Sequence, residues 1–207
     1  MPSAKWLRWL LRDDSIAPLL WLRTGYGLIS IFSLLGILSG RNSYLMRKVA
    51  FHYSGWEYWS TTASVPFFLW AAAGCAAAVM VIVGLHYRVA ALVLFVVHLR
   101  LFVLEKCHYL NHDYLMCWIA ALMVLVPAHA AFSEDATAGR IVRRTRVPAI
   151  HADMFRLLLC LVYWYSGISK LNSSWLSGQQ CRYWLTGYLE QHGIASSESS
   201  LPSAPRL

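Results

Sequence analysis

The sequence predicts an all-α fold, a polytopic integral membrane helix bundle of about five transmembrane helices. Three observations carry this expectation. Of 207 residues, 58% are hydrophobic and only 14% charged, where an average soluble domain has roughly a quarter charged, and mean hydropathy is +0.47; so much apolar surface cannot be hidden inside a soluble globule of this size. The apolar residues gather into five runs, each long enough to form a membrane helix once interfacial residues are counted, at roughly 20 residues per crossing. The basic residues lie mostly between those runs, where loop charge sets topology.

Taken in order, the opening "MPSAKWLRWLLR" alternates Lys5, Arg8 and Arg12 with Trp6, Leu7, Trp9, Leu10 and Leu11. That is the composition of a helix lying in the membrane interface, expected over 4–12. The crossings are expected at 16–38, 65–86, 89–104, 114–131 and 154–171. Between the first two, the stretch 39–64 mixes Arg41, Arg47 and Lys48 with Tyr44, Phe51, Tyr53, Trp56, Tyr58 and Trp59, which suits a membrane-hugging connection. The stretch 132–153 holds "GRIVRRTRVP", with four arginines in seven positions, the strongest topological signal in the chain. With that loop cytoplasmic, the N-terminus is cytoplasmic and the C-terminus lies outside or in a lumen. The folded domain is expected over 1–187 and a Ser/Pro-rich disordered tail over 188–207. No cleavable signal is expected, because the first apolar run follows Asp13 and Asp14 and exceeds signal length.

The net charge of +8 would suit nucleic acid, but no basic, aromatic-interleaved stripe falls on a soluble segment. The charge reads as topology, the bilayer is the expected partner, and nucleic acid is not. Cys75, Cys107, Cys117, Cys160 and Cys181 show neither CxxC pairs nor zinc spacing. His108 and His112, four apart with Asp113 beside them, could place two imidazoles on one helix face. The other six histidines stand alone, and no metal is expected.

Charged residues inside apolar runs are candidates for function, since an arginine at a helix centre costs about 2.5–3.5 kcal/mol on the insertion scale. Arg100, with His98 on the same run, either pairs with Glu105 about one and a half turns away or snorkels outward. Arg23, deeper and with no nearby acid on its own span, takes either a structural role or a functional one. "EKCHYLNHD", at 105–113, and Lys170, in "YSGISKLNSSWLSG", are separated by two crossings. They are therefore expected on one side of the membrane, whichever way the bundle points. Asn111 can fix the tautomer of His112 or add a donor to a bound ligand. On composition alone Lys170 reads as a snorkelling charge, yet lysine amines in dry pockets lose their charge and serve as general bases.

The blocks "VGLHYRVAALVLFV", "LEKCHYLNHDYL", "RRTRVP" and "LVYWYSGISKLNSSWLSG" resemble, in order and approximate spacing, the membrane part of vitamin K-dependent gamma-carboxylases. That part belongs to the horizontally transferred transmembrane (HTTM) family. "PLLWLRTGYGLI" is similar to the family's first span, with its arginine, and the likeness runs over about 12–187. It implies that Lys170 is the base that deprotonates reduced vitamin K and that His112 assists at the same site. Asn111, Arg23 and Trp175 would contact the cofactor. The co-substrates would be O2 and CO2, and the reaction an epoxidation coupled to carboxylation of a glutamyl side chain, in a peptide or protein. The chain departs from the family pattern at Ser169, where the carboxylases have a first lysine, at Asn172, where they have an acid, and at Leu110, where they have a second asparagine. Full carboxylases continue with further helices and a large extramembrane domain that holds much of the peptide binding. The alternative expectation is a non-catalytic HTTM protein that binds quinone or lipid, or that assists maturation of an exported peptide.

Overall fold

In the computed structural model the described residues are 3–39, 53–56, 67–104 and 111–191. Each expected apolar run is a helix. In chain order the elements are α1 (Ser3–Leu10), β1 (Asp13–Ser15), α2 (Ala17–Leu38), α3 (Phe67–Val83), α4 (Tyr87–Leu104), α5 (Asn111–Leu125), α6 (Glu134–Thr137), β2 (Arg146–Pro148), α7 (Ile150–Ser169), α8 (Ser173–Leu176) and α9 (Gln179–Gln191). The fold is all-α, with one short strand pair that periodicity did not announce. Helix α9 runs past residue 187, where the folded domain was expected to end; residues 192–207 lie outside the described residues.

The chain forms two compact units, residues 1–156 and 157–207. In the first, α2 packs on α3, α3 on α4 and α4 on α5. The helices alternate in direction. Gly74 of α3 lies against Leu34 of α2, and Gly27 of α2 against Ile82 and Ala78 of α3. Tyr87 at the start of α4 donates from its hydroxyl to the Met123 carbonyl near the end of α5 at 2.8 Å. Tyr26 of α2 reaches the Met116 carbonyl of α5 at 3.1 Å. Small residues permit the close approaches: a Cβ at Gly74 would stand 2.7 Å from Leu34 Cδ1 and 2.9 Å from Val97 Cγ1, the small-residue packing that membrane helices favour. The core between the helices is built from Leu34, Ala78, Val81, Leu94, Val97, Ala120 and Met123.

Alternation sorts the connections to two ends. The starts of α2 and α4 and the ends of α3 and α5 lie at one end, together with the stretch 126–149. The starts of α3 and α5 and the ends of α2 and α4 lie at the other. At the first end Pro18 opens α2 in its first turn, where a missing N–H costs nothing. The strands pair antiparallel, Asp14 opposite Val147. Backbone bonds from Ile16 to Thr145 (3.1 Å) and from Ala149 to Arg12 (2.9 Å) continue the tie between the chain before α2 and the chain before α7.

Among the described residues α2 alone is long and apolar enough to cross a membrane, judged by length and composition; α3 and α5 contribute shorter apolar stretches, Phe68–Val83 and His112–Leu125.

Helix α3 ends at Gly84, whose φ is +71°, a left-handed residue that stops a helix and that glycine adopts without strain. A Cβ there would collide with Ser133 and come within 3.0 Å of Arg23 Nη1. Gly84→Ala is expected to destabilise the first unit by about 2 kcal/mol or more, from strain and collision together, read as a lowered thermal midpoint in detergent. Gly139→Ala is the control, because its φ is also positive, at +69°, and nothing stands within 4 Å of it.

Candidate functional site

Lys170 is the first residue beyond α7. The helix closes on the Lys170 N–H donating to the Gly167 carbonyl at 3.1 Å and Leu171 to Ile168 at 2.9 Å. Asn172 then starts α8: its extended backbone and side-chain oxygen, which accepts the Trp175 N–H at 3.0 Å, make it the N-cap. Asn172 Oδ1 also accepts from Ser174 Oγ at 2.7 Å, and its amide donates to the Ser169 carbonyl at 3.0 Å. This clasp carries Trp175 back toward the lysine, whose Nζ lies 5.3 Å from the indole centroid. Trp184 of α9 meets Trp175 edge-to-face at 5.8 Å. Two residues named separately by resemblance, Lys170 and Trp175, are thus brought together. Asn172, which stands where the carboxylases carry an acid, has a structural task. Its signal was legible as an asparagine three residues before the tryptophan whose N–H it caps.

The second block opens α5 at the far end of the first unit. Asn111 is the first residue of that helix. His112 is exposed, with Nε2 3.6 Å from Asp113 Oδ1. His108, Cys107 and Glu105 lie outside the described residues. Aromatic rings follow one another beside this end: Tyr53 stacks on Phe102 at 5.7 Å, Phe102 meets Tyr114 at 5.6 Å, and Tyr114 meets Trp118 edge-on. Inside the bundle His98 is buried, its Nδ1 2.9 Å from the Leu94 carbonyl and its ring 5.9 Å from that of Tyr26. Arg100 lies over the Trp70 ring at 5.2 Å.

Arg23 sits toward the opposite end. Tyr26 shares a level with Met116; stepping back to Arg23 on α2 and forward to His112 on α5 separates the two by about 10 Å along the bundle axis, at 1.5 Å per residue. Arg23 is 4% exposed. Its Nη2 donates to the Phe132 carbonyl at 2.6 Å, and its Nη1 to those of Ala128 at 2.9 Å and Ala131 at 3.5 Å. The guanidinium therefore replaces, for a non-helical turn, the backbone partners that a helix would have supplied.

The HTTM domain signature matches residues 11–196. The chain belongs to the HTTM family. It is a membrane-associated family, that of vitamin K-dependent-carboxylase-associated domains. No solved structure matches the chain. The HTTM match takes in both motif blocks, with Asn111, His112, Lys170 and Trp175, and also the loop that Arg23 holds.

That loop of the HTTM domain contains a group the sequence reading passed over. Asp135 is buried, although it is presented by the short α6 and not by a long helix. Its oxygens accept the N–H groups of His86 at 2.9 Å and Tyr87 at 3.0 Å, capping α4 from 48 residues away, and Arg140 at 3.1 Å. Ser133 caps the short α6 that presents it. The signal "SED" was there as a local helix start; the remote cap was not legible. Burial by itself pushes the Asp135 carboxyl up, but the Tyr87 and His86 N–H groups, Arg140 and the nearby His129 together hold it below its usual 3.8. A depressed carboxyl stabilises the fold above its unfolded value and loses that contribution as pH falls through the folded value. Acid is therefore expected to loosen the first unit only below about pH 3.8. Asp135→Asn should be destabilised at neutral pH and show a flatter fall there, read by fluorescence melting against pH.

Proposed function

We propose that this chain is a multi-pass membrane enzyme of the vitamin K-dependent carboxylase type, acting on a reduced vitamin K-type quinol. The observation that carries the reading is the family match, which spans both motif blocks and belongs to the carboxylase-associated HTTM domains. The membrane placement is supported by α2 and by large apolar side chains facing outward, such as Trp21 (77% exposed) and Phe32 (74%) on α2. Patches of this kind on a soluble monomer would be a liability. The N-terminus and the arginine-rich end face the cytoplasm, and the end bearing Asn111 and His112 faces outside or the lumen.

The donor set suits a quinol. An amine beside an indole face offers a proton acceptor and a flat apolar surface for a flat ring. When bound, the reduced vitamin would supply, with O2, the base strong enough to take a glutamyl γ-proton for carboxylation by CO2. Lys170, the base that the resemblance implies, accepts the hydroxyl proton of the quinol. The ammonium so formed lies over Trp175, whose ring face attracts cations. Trp175, held by the Asn172 clasp and by Trp184, orients the ring. The resemblance alone adds His112 as donor or acceptor and Asn111 as a neighbouring polar contact. Arg23 is assigned no part in the reaction, because its Nη1 and Nη2 groups are committed to the backbone carbonyls of the 128–132 turn.

Purified chain given reduced vitamin K, O2 and labelled CO2 with a glutamate-containing peptide should yield epoxide and labelled peptide. Epoxide without label would confine the activity to the quinol half of the reaction; neither product, where an authentic carboxylase gives both, rejects the reading.

A further inference from the structure

The arginine-rich end carries a surface that the reaction does not use. Phe132 has a φ of +47°, a conformation that aromatic residues rarely adopt. It leaves the residue 71% exposed while the carbonyl turns in to Arg23. Strain of this sort points to a task for the residue it displays. The Arg143 guanidinium lies 5.5 Å from that ring. The Arg144 N–H donates to the Ala130 carbonyl at 2.8 Å, fastening the arginines to the same turn, and Arg146 is held in the ladder opposite Ser15. Val142 beside them is 74% exposed.

Acids at this end are partly spoken for: Asp135 binds Arg140, and Asp153 binds Arg12 and Arg156. Asp13, Asp14 and Glu134 remain. Arg143, Arg144 and Arg146 have no acid partner among the described residues. Basic groups around exposed apolar side chains, fixed to the end of a membrane bundle, match a surface of anionic phosphates over hydrocarbon.

We propose that Arg143, Arg144 and Arg146, with Phe132 and Val142 as apolar anchors, form a docking face for the headgroup phosphates of anionic phospholipids. Phe132 and Val142 enter the acyl boundary, and the guanidinium groups fork onto phosphate oxygens from the aqueous side. The turn held by Arg23 keeps the face in place. The proposal rests on the membrane placement above and is independent of the quinol chemistry.

The test uses the full chain in neutral phosphatidylcholine discs containing a minor fraction of phosphatidylglycerol, with the anionic lipid retained around the protein counted after isolation. The wild type should enrich it. Replacing all three arginines by glutamine should cut the enrichment about tenfold or more, since each basic group near an anionic surface contributes roughly fivefold. Replacing them by lysine should keep most of it. Phe132→Ser should weaken it without abolishing it. Excess inorganic phosphate should not displace the lipid, and displacement would overturn the commitment to a lipid surface. Equal enrichment in the glutamine variant overturns the proposal. A chain that enters neutral discs but enriches nothing overturns the docking face alone; one that fails to enter them contradicts the membrane placement as well.

Discussion

Lys170→Ala is expected to leave the chain folded and to cut quinol oxygenation by about 10²–10⁴-fold, the usual worth of a positioned acid–base group. The side chain is exposed, and its described contact is the Trp175 ring, so the thermal midpoint should move little. Lys170→Arg separates charge from chemistry: it keeps a cation over the indole but holds its proton at any working pH, and should be as inactive as alanine. Small primary amines added to the alanine variant should restore part of the rate, in proportion to the free amine present. Trp175→Ala should act mainly through a raised KM for quinol. Epoxide per mole of folded protein, by chromatography, checks all four. An alanine variant that keeps the wild-type rate removes Lys170 from the chemistry.

Arg23→Met is expected to cost stability, by about 3–5 kcal/mol. Its two good bonds, 2.6 Å to Phe132 and 2.9 Å to Ala128, are charge-assisted and worth about 1.5–3 kcal/mol each. Methionine fills much of the space with an adaptable side chain, so the loss reports the bonds and the carbonyls left unpaired. Arg23→Lys should recover only part, because one ammonium replaces a planar fork. Denaturant or thermal unfolding in detergent gives the stability, and KM for quinol on the folded fraction gives the competing role. A variant of unchanged stability and raised KM would return Arg23 to the ligand site that the resemblance implies.

The helices were legible because their signal is composition. Apolar runs 16 to 23 residues long stand out against any background, and each expected run became a helix with ends displaced by a few residues. Those displacements have local causes. The expected fourth run ended at 131, whereas α5 stops at Leu125, ahead of Pro127, whose missing N–H and ring do not continue a helix. The last six residues of that run became the turn that Arg23 satisfies. The strands β1 and β2 were not legible because each is three residues long and is held by a partner more than 130 residues away in sequence.

The candidate site is named in residue type by the resemblance, and its arrangement was only partly legible. The lysine, the tryptophan and the asparagine–histidine pair were each named from sequence, and Lys170 with Trp175 proved to be neighbours. Asn172 was read as a departure from a family pattern, while its cap to Trp175 follows from spacing of three and could have been expected. Arg23 shows the converse. A buried arginine in an apolar run advertises cost, but the sequence does not tell whether a ligand or a loop carbonyl offsets it. Asp135 was invisible because the helix it caps begins 48 residues earlier.

The most direct test of the central claim is epoxide formation from reduced vitamin K and O2 by the purified wild-type chain and by Lys170→Ala, side by side in the same lipid. Epoxide from the wild type and its loss in the variant is the predicted result. No epoxide from folded wild-type chain, under conditions in which an authentic carboxylase produces it, would contradict the enzymatic assignment.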